Sequence, residues 1–488
     1  MSIPADAFFL PAMAGATLQQ RLRQRISEGI LSGQFRPGEK LPSSRGLAAH
    51  LGVSRITVTL AYTELVASDY LTSRGRSGYF VSQTAPGPPE FSGTTIDRVD
   101  RVDFAALTGR RFSRQQPAHR PDDWRSYRYP FIYGQADATL FDHQNWRQCA
   151  LRALGKRDFE TMSADFYERD DPLLIETIRR SILPRRGINA RDGEVLLTMG
   201  AQNALWLAAQ VLLGPGRRAV VENPGYPGLR SILGQTHCDV VSVDVDADGL
   251  PPAALPAALD VVFTTASHHC PSNATMPLKR REALLAAAGR RDFVIVEDDY
   301  EFEMSFLRPV SPSLKSLDRD GRVIYVGSFS KSLFPGLRLG YLVAPVTFIA
   351  EARALRAAVL RHPPGHIQRT VAYFLSLGYY DALMNRMKVA YKRRRMVMDE
   401  AIAAQGLTIA GQGGFGGSSF WMRAPAAVDT AALALRLRDM GVLIEPGRAF
   451  FDPAGGPQNY YRLAYSSIAP ARIAEGIGLI AEALAAPG

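Results

Sequence analysis

From about residue 195 onward, short apolar runs alternate with helical patterns, and this alternation limits the fold more than any other feature of the sequence. The runs end in glycine, proline or polar residues and cover residues 195–198, the first part of 219–228, 261–265, 293–296 and 323–326. Buried parallel strands have this near-continuous hydrophobic character, and helices must connect them. The pattern therefore predicts a doubly wound α/β sheet, in which ligands bind at the carboxyl ends of the strands.

The chain has 488 residues, which is longer than one hydrophobic core usually organises, so we expect two or more domains. Its net charge of +10 is a weak indication of a nucleic acid partner, because the excess can be spread over the whole surface. The cysteines Cys149, Cys238 and Cys270 are scattered and lack metal-ligand spacing, which predicts a reducing, cytoplasmic location and no bound metal. No apolar run approaches the roughly 18 residues that a membrane helix needs, so no membrane partner is expected.

Residues 17–82 carry the pattern of a small helical domain. Serine caps at Ser43 or Ser44 and at Ser54 begin two helices, which a tight turn at Gly52 joins. Two helices joined in this way form a helix-turn-helix, whose second helix enters the major groove of DNA. A preceding helix presents an apolar stripe of residues four apart, which are Leu18, Leu22, Ile26 and Ile30.

Residues 70–81 (YLTSRGRSGYFV) read as two short strands around an arginine-bearing tip, which adds a wing to the helix-turn-helix. Arginine suits both phosphate and guanine contacts. The predicted DNA-facing residues are four arginines and two threonines of the second helix: Arg45, Arg55, Thr57, Thr59, Arg74 and Arg76. Three small helices with solvated arginines also fit a protein-interaction module, and this alternative stays open.

Residues 17–82 resemble the winged helix of the GntR regulator family, most clearly in LPSSRGLAAHLGVSRITVTLAYTEL and in GRSGYFV. The resemblance implies double-stranded promoter DNA as a partner. The family often has arginine where this chain has Thr59, so the contact at this position is not implied by the resemblance.

The sequence divides into four parts. A short arm, residues 1–16, precedes the winged helix, residues 17–82. A tract rich in Pro, Gly, Ser and Thr continues as a polar, arginine-rich stretch, and we expect it to be a linker over residues 83–125. The remaining residues, 126–488, form the large domain.

One lysine in the large domain stands among small hydroxyl residues in GSFSKSLFPGLRLG, residues 327–340. A lysine that forms a Schiff base must lose its proton, and a desolvated site favours that loss. Lys331 follows an apolar run, and nearby Ser328, Ser330 and Arg338 suit a phosphate group. The combination indicates pyridoxal phosphate (PLP), although a lysine and an arginine on an ordinary strand-loop-strand are the alternative.

Two further features lie at predicted strand ends. The turn Gly200-Ala201-Gln202 precedes a helix whose free backbone N–H groups would attract an anion, as many purely structural junctions also do. In Glu297-Asp298-Asp299-Tyr300, side-chain alternation places Asp298 and Tyr300 on one face and Asp299 on the other. Asp298 is thus a candidate partner for a pyridine nitrogen.

Three aromatic or basic features remain ambiguous from the sequence alone. Tyr226 projects from a Pro/Gly turn and would stack on a pyridine ring or on its own neighbours. Arg462 stands among apolar residues and needs an anion, either the acid group of a ligand or an internal carboxylate. His268 and His269 lie beside Cys270, but no further metal ligand has suitable spacing.

Five motifs in this order resemble a fold-type I aminotransferase: GAQNAL, ENPGYPG, EDDYEFEM, SFSKSLFPGLRLGY and YYRLAYSS. With the winged helix, residues 17–480 resemble the MocR/GabR regulators, in which a GntR head is linked to an aminotransferase-like effector domain. The resemblance implies a multidomain chain, with a winged helix-turn-helix before an α/β fold-type I PLP-dependent transferase-like domain that carries a smaller C-terminal α+β subdomain.

The resemblance also implies residue roles. Lys331 forms the internal aldimine with PLP, Asp298 pairs with the pyridine nitrogen, and Tyr300 bonds the ring hydroxyl. Tyr226 stacks on the ring, and Arg462 takes the acid group of an effector. The phosphate is held by residues of two turns, which are Gly200, Ala201, Gln202, Ser328, Ser330 and Arg338.

On this basis we expect a PLP-dependent, DNA-binding transcription regulator that senses an amine or amino acid by external aldimine formation and forms a domain-exchanged homodimer. A working aminotransferase with an accessory DNA-binding head stays open as the alternative. The segments IYGQADATLFD, SHHCPSN and RHPPGHIQRT resemble the taurine-responsive branch of the family, which makes taurine a candidate effector.

Two departures from the family pattern bear on the chemistry. Cys270-Pro271-Ser272-Asn273 stands where aminotransferases carry an NPTG-like motif, so the resemblance leaves the roles of Cys270 and Asn273 and the extent of transamination open. A Gly-Asp-Pro motif of the family reads here as ERDDP, residues 168–172, a change that could alter effector specificity.

Overall fold

The computed structural model describes residues 2–10, 15–87, 102–109, 121–165, 167–411 and 413–486. The chain forms two compact units, Met1–Gly109 and Arg110–Gly488. Most of the predicted linker and the side chain of Arg76 lie outside the described residues. In the part of the chain that is described, no helix is long and apolar enough to cross a membrane.

The first unit is a winged helix. Its elements are α1 (Leu18–Leu31), α2 (Ser44–Leu51), α3 (Arg55–Ala67), the antiparallel strands β1 (Leu71–Ser73) and β2 (Tyr79–Val81), and α4 (Phe104–Leu107). Thr17 and Gln20 form a capping box at α1, while the hydroxyls of Ser43 and Ser54 cap α2 and α3. Gly52 ends α2 in the left-handed conformation with φ of +65°, which glycine adopts without strain. The predicted caps and turn are confirmed.

The core of the first unit includes the segment before α1. Ile3 and Phe8 are buried with the stripe of α1, and the Phe8 and Phe35 ring centroids lie 5.1 Å apart. The predicted stripe is wrong at one position. Leu18 is 44% exposed, because it is the first residue of α1 and lies before the turns that pack on α3.

The second unit contains the helices α5 (His143–Ala153), α6 (Phe159–Ser163), α7 (Pro172–Thr177), α8 (Ala201–Leu212), α9 (Pro227–Leu233), α10 (Leu278–Arg291), α11 (Leu314–Leu317), α12 (Val346–Leu360), α13 (Gly365–Ser376), α14 (Tyr379–Ala404), α15 (Thr430–Asp439) and α16 (Pro470–Ala485). Its strands are β3 (Tyr129–Pro130), β4 (Val195–Thr198), β5 (Arg218–Asn223), β6 (Asp239–Asp244), β7 (Val261–Thr264), β8 (Val294–Asp298), β9 (Val323–Ser328), β10 (Gly340–Val343), β11 (Thr408–Ile409), β12 (Ser419–Arg423), β13 (Val442–Leu443), β14 (Glu445–Pro446) and β15 (Tyr460–Ala464).

A seven-stranded sheet in the order β4-β10-β9-β8-β7-β5-β6 organises this unit. The strands β5 to β9 are parallel, whereas β10 pairs antiparallel with both β9 and β4. Alternate residues of the strands face opposite sides: Val221 and Val296 pack with α8, α9 and α12, while Val220 and Ile295 pack with α10. The predicted α/β sheet with helices on both faces is confirmed.

A second, antiparallel sheet in the order β11-β12-β15-β14 packs with α14, α15 and α16. It forms the smaller C-terminal subdomain. Its strand β15 brings Arg462 toward the carboxyl ends of the parallel strands, where Asp298 and Lys331 lie.

Candidate functional site

Lys331 lies just after β9 and projects beside an aromatic ring. Its Nζ is 3.9 Å from the ring centroid of Tyr133. Gly134 follows that tyrosine with φ of +73°, and a Cβ at Gly134 would overlap Lys331 Nζ. Burial lowers the pKa of Lys331 to about 8, with the nearby Glu301 carboxylate opposing this shift and Arg462 adding to it. A fraction of the amine is therefore unprotonated at neutral pH.

Adjacent carboxylates at the end of β8 have opposite surroundings. Asp299 pairs with the guanidinium of Arg186, at 2.6 Å from Nε, and accepts a hydrogen bond from the Tyr325 hydroxyl. Asp298 faces the other way, and its Oδ1 has no hydrogen-bond partner among the described residues. Burial, followed by the charges of Asp299 and Glu222, raises the pKa of Asp298 to about 7. Such an oxygen suits a protonated ring nitrogen.

Two predicted phosphate elements lie close together. Gly200 precedes α8 with φ of +80°, and a Cβ there would lie 3.6 Å from the Arg338 guanidinium carbon and 3.7 Å from Ser330 Oγ. The backbone N–H groups at the start of α8, from Ala201 onward, point toward the same space. Ser328 is buried, and its Oγ accepts the Ser330 N–H at 3.2 Å, so Ser328 shapes the turn.

Two tyrosine side chains line the region between these elements. Tyr226 is partly buried near Asp298, and its hydroxyl lies 3.4 Å from the Gln202 side-chain oxygen. Burial and the Asp298 charge raise the pKa of Tyr226 to about 12. Tyr300 lies near Cys270, and burial raises its pKa well above the usual value, so both phenols are protonated donors.

Arg462 is buried but already paired. It contacts Glu445, its directly opposite residue on β14, with Nε and Nη2 at 2.7 and 2.6 Å from one carboxylate oxygen. The guanidinium carbon lies 3.8 Å from the ring centroid of Tyr133 and 4.8 Å from that of Phe450. The internal salt bridge left open by the sequence is thus present.

The remaining sequence features have structural surroundings. His269 Nδ1 lies 2.6 Å from the Ser272 hydroxyl, and burial lowers the pKa of both His268 and His269, so the pair is neutral. Asn273 donates from Nδ2 to the Ser419 carbonyl at 2.6 Å, whereas Cys270 lies 4.0 Å from Arg462 Nη1. Cys270 therefore belongs to the site, and Asn273 joins the two subdomains.

The two aspartates of the ERDDP segment are committed to the fold. Asp170 accepts from Arg356 Nη1 at 2.6 Å and from the Leu197 N–H at 3.1 Å. Asp171 caps α7 and pairs with Arg369 Nε at 2.7 Å. Since both carboxylates are buried in these contacts, they anchor the segment before β4 and do not reach a ligand.

One observation in particular shows that the predicted residues suit PLP chemically. An unpartnered buried carboxylate oxygen at Asp298 and an amine of lowered pKa at Lys331 lie at the ends of neighbouring parallel strands, beside a helix N-terminus with a guanidinium. The sequence singled out Cys270 without a role, and it did not single out three other polar residues near Lys331: Tyr133, Glu301 and Glu445. The segment IYGQADATLFD contained a signal, because its Tyr-Gly pair allows the close approach of Lys331 Nζ.

In the first unit, the predicted DNA-facing arginines Arg45, Arg55 and Arg74 are exposed. Arg55 Nε lies 3.5 Å from the Ser44 hydroxyl, and Arg74 stacks on Phe80 at 4.6 Å. Thr57 is partly buried, and the Thr59 hydroxyl donates to the carbonyl of Arg55 at 2.9 Å. The hydroxyl hydrogen of Thr59 is therefore already used within α3.

Two family models match the chain. The model of bacterial regulatory proteins of the gntR family covers residues 18–81, and that of aminotransferase class I and II covers residues 155–478. The order of the two matches is that of the two units described above.

Several full-length transcription regulators are similar to the chain. The HTH-type transcriptional regulator TauR of Rhodobacter capsulatus is 67% identical over 484 residues, covering 99% of this chain and 100% of TauR. The probable rhizopine catabolism regulatory protein MocR of Rhizobium meliloti is 30% identical over 97% of this chain and 95% of its own. The HTH-type pyridoxine biosynthesis transcriptional regulator PdxR of Corynebacterium glutamicum is 30% identical over 80% and 79%.

Solved aminotransferases share the fold of the second unit. The kynurenine aminotransferase of Pyrococcus horikoshii is 26% identical, with a TM-score of 0.68 over 75% of this chain and 95% of its own. The multiple substrate aminotransferase of Thermococcus profundus is 25% identical, with a TM-score of 0.71 over 78% and 98%.

Proposed function

The chain belongs to the MocR-type transcription regulators, in which a GntR winged helix is fused to an aminotransferase class I and II domain, and we propose that this domain holds PLP at Lys331 to sense an amine. The pairing of a lowered lysine pKa with the unpartnered oxygen of Asp298 carries the proposal. When bound, PLP supplies an aldehyde for which the lysine amine and an effector amine compete.

Each residue around that aldehyde has a separate role in this proposal. Lys331 provides the unprotonated amine because burial lowers its pKa. With PLP bound, Asp298 would stabilise a proton on the ring nitrogen, Tyr226 would cover the ring, and Tyr300 would donate to the ring hydroxyl oxygen. The phosphate would be held at the α8 N-terminus by residues of two turns, which are Gly200, Ala201, Gln202, Ser328, Ser330 and Arg338.

Arg462 selects the effector in this proposal. Its guanidinium and the Lys331 amine both lie within 4 Å of the Tyr133 ring centroid, so one short molecule can reach both. The effector is accordingly a short amine with an acid group, and taurine is the first candidate to test. We further propose a domain-exchanged homodimer that binds promoter DNA through the winged helices.

Exchange of the effector amine for the lysine amine alters regulation only if two states of the protein bind the effector with different affinity. The test uses PLP-loaded wild type, Lys331→Ala, and Lys279→Ala as an exposed-lysine control. Visible absorption is titrated with taurine, γ-aminobutyrate and common amino acids, and binding is measured to DNA selected from random sequence.

We expect the wild type and Lys279→Ala to show an absorption band that changes with an amine, and the same amine to change DNA binding. Lys331→Ala should keep specific DNA binding but lose both the band and the response. Sustained ketoacid-dependent turnover at enzymatic rates would instead identify an aminotransferase with a DNA-binding head. A wild type without a lysine-dependent band would contradict both functions.

A further inference from the structure

Arg462 is already ion-paired in the structure. Its Nε and Nη2 both donate to a single oxygen of Glu445, and the two residues are register partners on adjacent antiparallel strands. The Arg462 side chain is 6% exposed and the Glu445 side chain is 30% exposed. The pair therefore forms one wall of the site, with the carboxylate on the more accessible side.

The guanidinium is also fixed in orientation. It stacks near the rings of Tyr133 and Phe450, and its Nη1 points to the Cys270 sulfur at 4.0 Å. Because Glu445 occupies the Nε side, the N–H groups that remain lie at the Nη1 and Nη2 end, where a fork of two donors matches one carboxylate or sulfonate. One acid group can be bound there while Glu445 stays in place.

A second carboxylate contacts Tyr133, the residue whose ring lies beside Lys331 Nζ. Glu301 is 2% exposed, accepts a hydrogen bond from the Tyr133 hydroxyl at 3.1 Å, and also accepts one from the Ser418 hydroxyl. Glu301 and Glu445 both act on the charge of Lys331, so both lie within electrostatic range of its amine. If PLP engaged Lys331, the guanidinium of Arg462 would be the cation that remains beside Tyr133, near the two carboxylates of Glu301 and Glu445.

The site therefore offers an effector one cation, Arg462, which can bind one acid group. The carboxylates of Glu445 and Glu301 add negative charge around it. Resting on the proposed function, we propose that Glu445 and Glu301 are specificity-determining residues that restrict the effector to amines with a single acid group. A second acid group would be placed among like charges in a site with little solvent, where juxtaposed like charges are strongly unfavourable. Dicarboxylic amino acids are thereby rejected, although one of their carboxylates could pair with Arg462.

The test compares taurine with L-aspartate on PLP-loaded protein by titration of the visible absorption. The quantity measured is the ratio of the two dissociation constants within one preparation, so it does not depend on the folded fraction. The variants are Glu445→Gln and Glu301→Gln, which keep the side-chain size and remove the negative charge, and Glu282→Gln, an exposed position on α10, as the matched control.

We expect aspartate to bind more weakly than taurine in the wild type and in Glu282→Gln. In Glu445→Gln and in Glu301→Gln, the ratio of the aspartate to the taurine dissociation constant should fall by about tenfold or more, because one like charge is removed. An unchanged ratio in both variants overturns the inference. Loss of both ligands in Glu445→Gln also overturns it, since Glu445 would then act only as the partner that holds Arg462. A wild type that responds to no amine fails the proposed function itself.

Discussion

Replacing Asp298 with asparagine is expected to stabilise the protein freed of PLP while weakening its hold on the cofactor. The carboxyl is buried, its Oδ1 has no partner among the described residues, and its neighbours Asp299 and Glu222 are also acidic. An ionised carboxylate there is unfavourable until a protonated ring nitrogen pairs with it. Asparagine keeps the shape but carries no charge.

The pKa of Asp298 sets the size of this effect. Its pKa is about 7 in the folded protein, against 3.8 for an aspartate exposed to water. The folded state thus binds the proton more tightly, so stability falls as pH rises from about 4 to 7, and the full penalty of about 4 kcal/mol is present above pH 7. A buried amide with unmet hydrogen bonds costs about 1–3 kcal/mol. The net gain for Asp298→Asn is about 1–3 kcal/mol at pH 8.

Denaturant unfolding followed by tryptophan fluorescence measures this gain, because Trp124, Trp146, Trp206 and Trp421 all lie in the second unit. The stability advantage of Asp298→Asn should be about 2 kcal/mol larger at pH 8 than at pH 5.5, from the linkage between proton binding and unfolding. An equal advantage at both pH values, or a variant less stable at pH 8, would refute the reasoning. Titration with PLP should show weaker binding by the variant.

Three further predictions concern the fold and the DNA-binding unit. Arg186→Ala should destabilise the second unit by about 3–5 kcal/mol, because it leaves a buried carboxylate unpaired. Its control, Arg217→Ala, removes an exposed ion pair and should cost less than about 1 kcal/mol in the same fluorescence assay. Phe8→Ala should lower the unfolding free energy of the first unit by about 3–5 kcal/mol, because Phe8 is buried. Phe9 is 68% exposed, so Phe9→Ala should lower it by less than about 0.5 kcal/mol. Calorimetry of the full chain measures both changes. Arg74→Ala should lower the salt dependence of DNA binding by about 0.9 in the logarithmic slope, and an unchanged slope would exclude that phosphate contact.

Local physical rules made the strand and helix ends readable from the sequence. Serine hydroxyls and left-handed glycines have short-range effects, so the ends of α2 and α3 followed from residues within three positions of them. Side-chain alternation likewise separated Asp298 from Asp299 before their surroundings were known. The structure places these two carboxylates on opposite sides, one toward Lys331 and the other toward Arg186.

The rest of the site depends on contacts between segments distant in sequence. Tyr133 comes from the segment after β3, and Glu445 comes from the small antiparallel sheet. The glycine after Tyr133 indicates that another group approaches closely, but no pattern near Tyr133 or Glu445 identifies Lys331 as their neighbour. The partner of Arg462 stayed undecided for the same reason, since an arginine among apolar residues shows the need for an anion without identifying it. Leu18 shows that apolar spacing does not predict burial at a helix end.

The link between PLP and Lys331 can be tested most directly by borohydride reduction of PLP-loaded protein, which makes a lysine Schiff base permanent, followed by mass spectrometry of its peptides. We expect the phosphopyridoxyl group on Lys331, within the peptide that contains SFSKSLFPGLR. A label on another lysine, or no label on a protein that retains its fold, would contradict it.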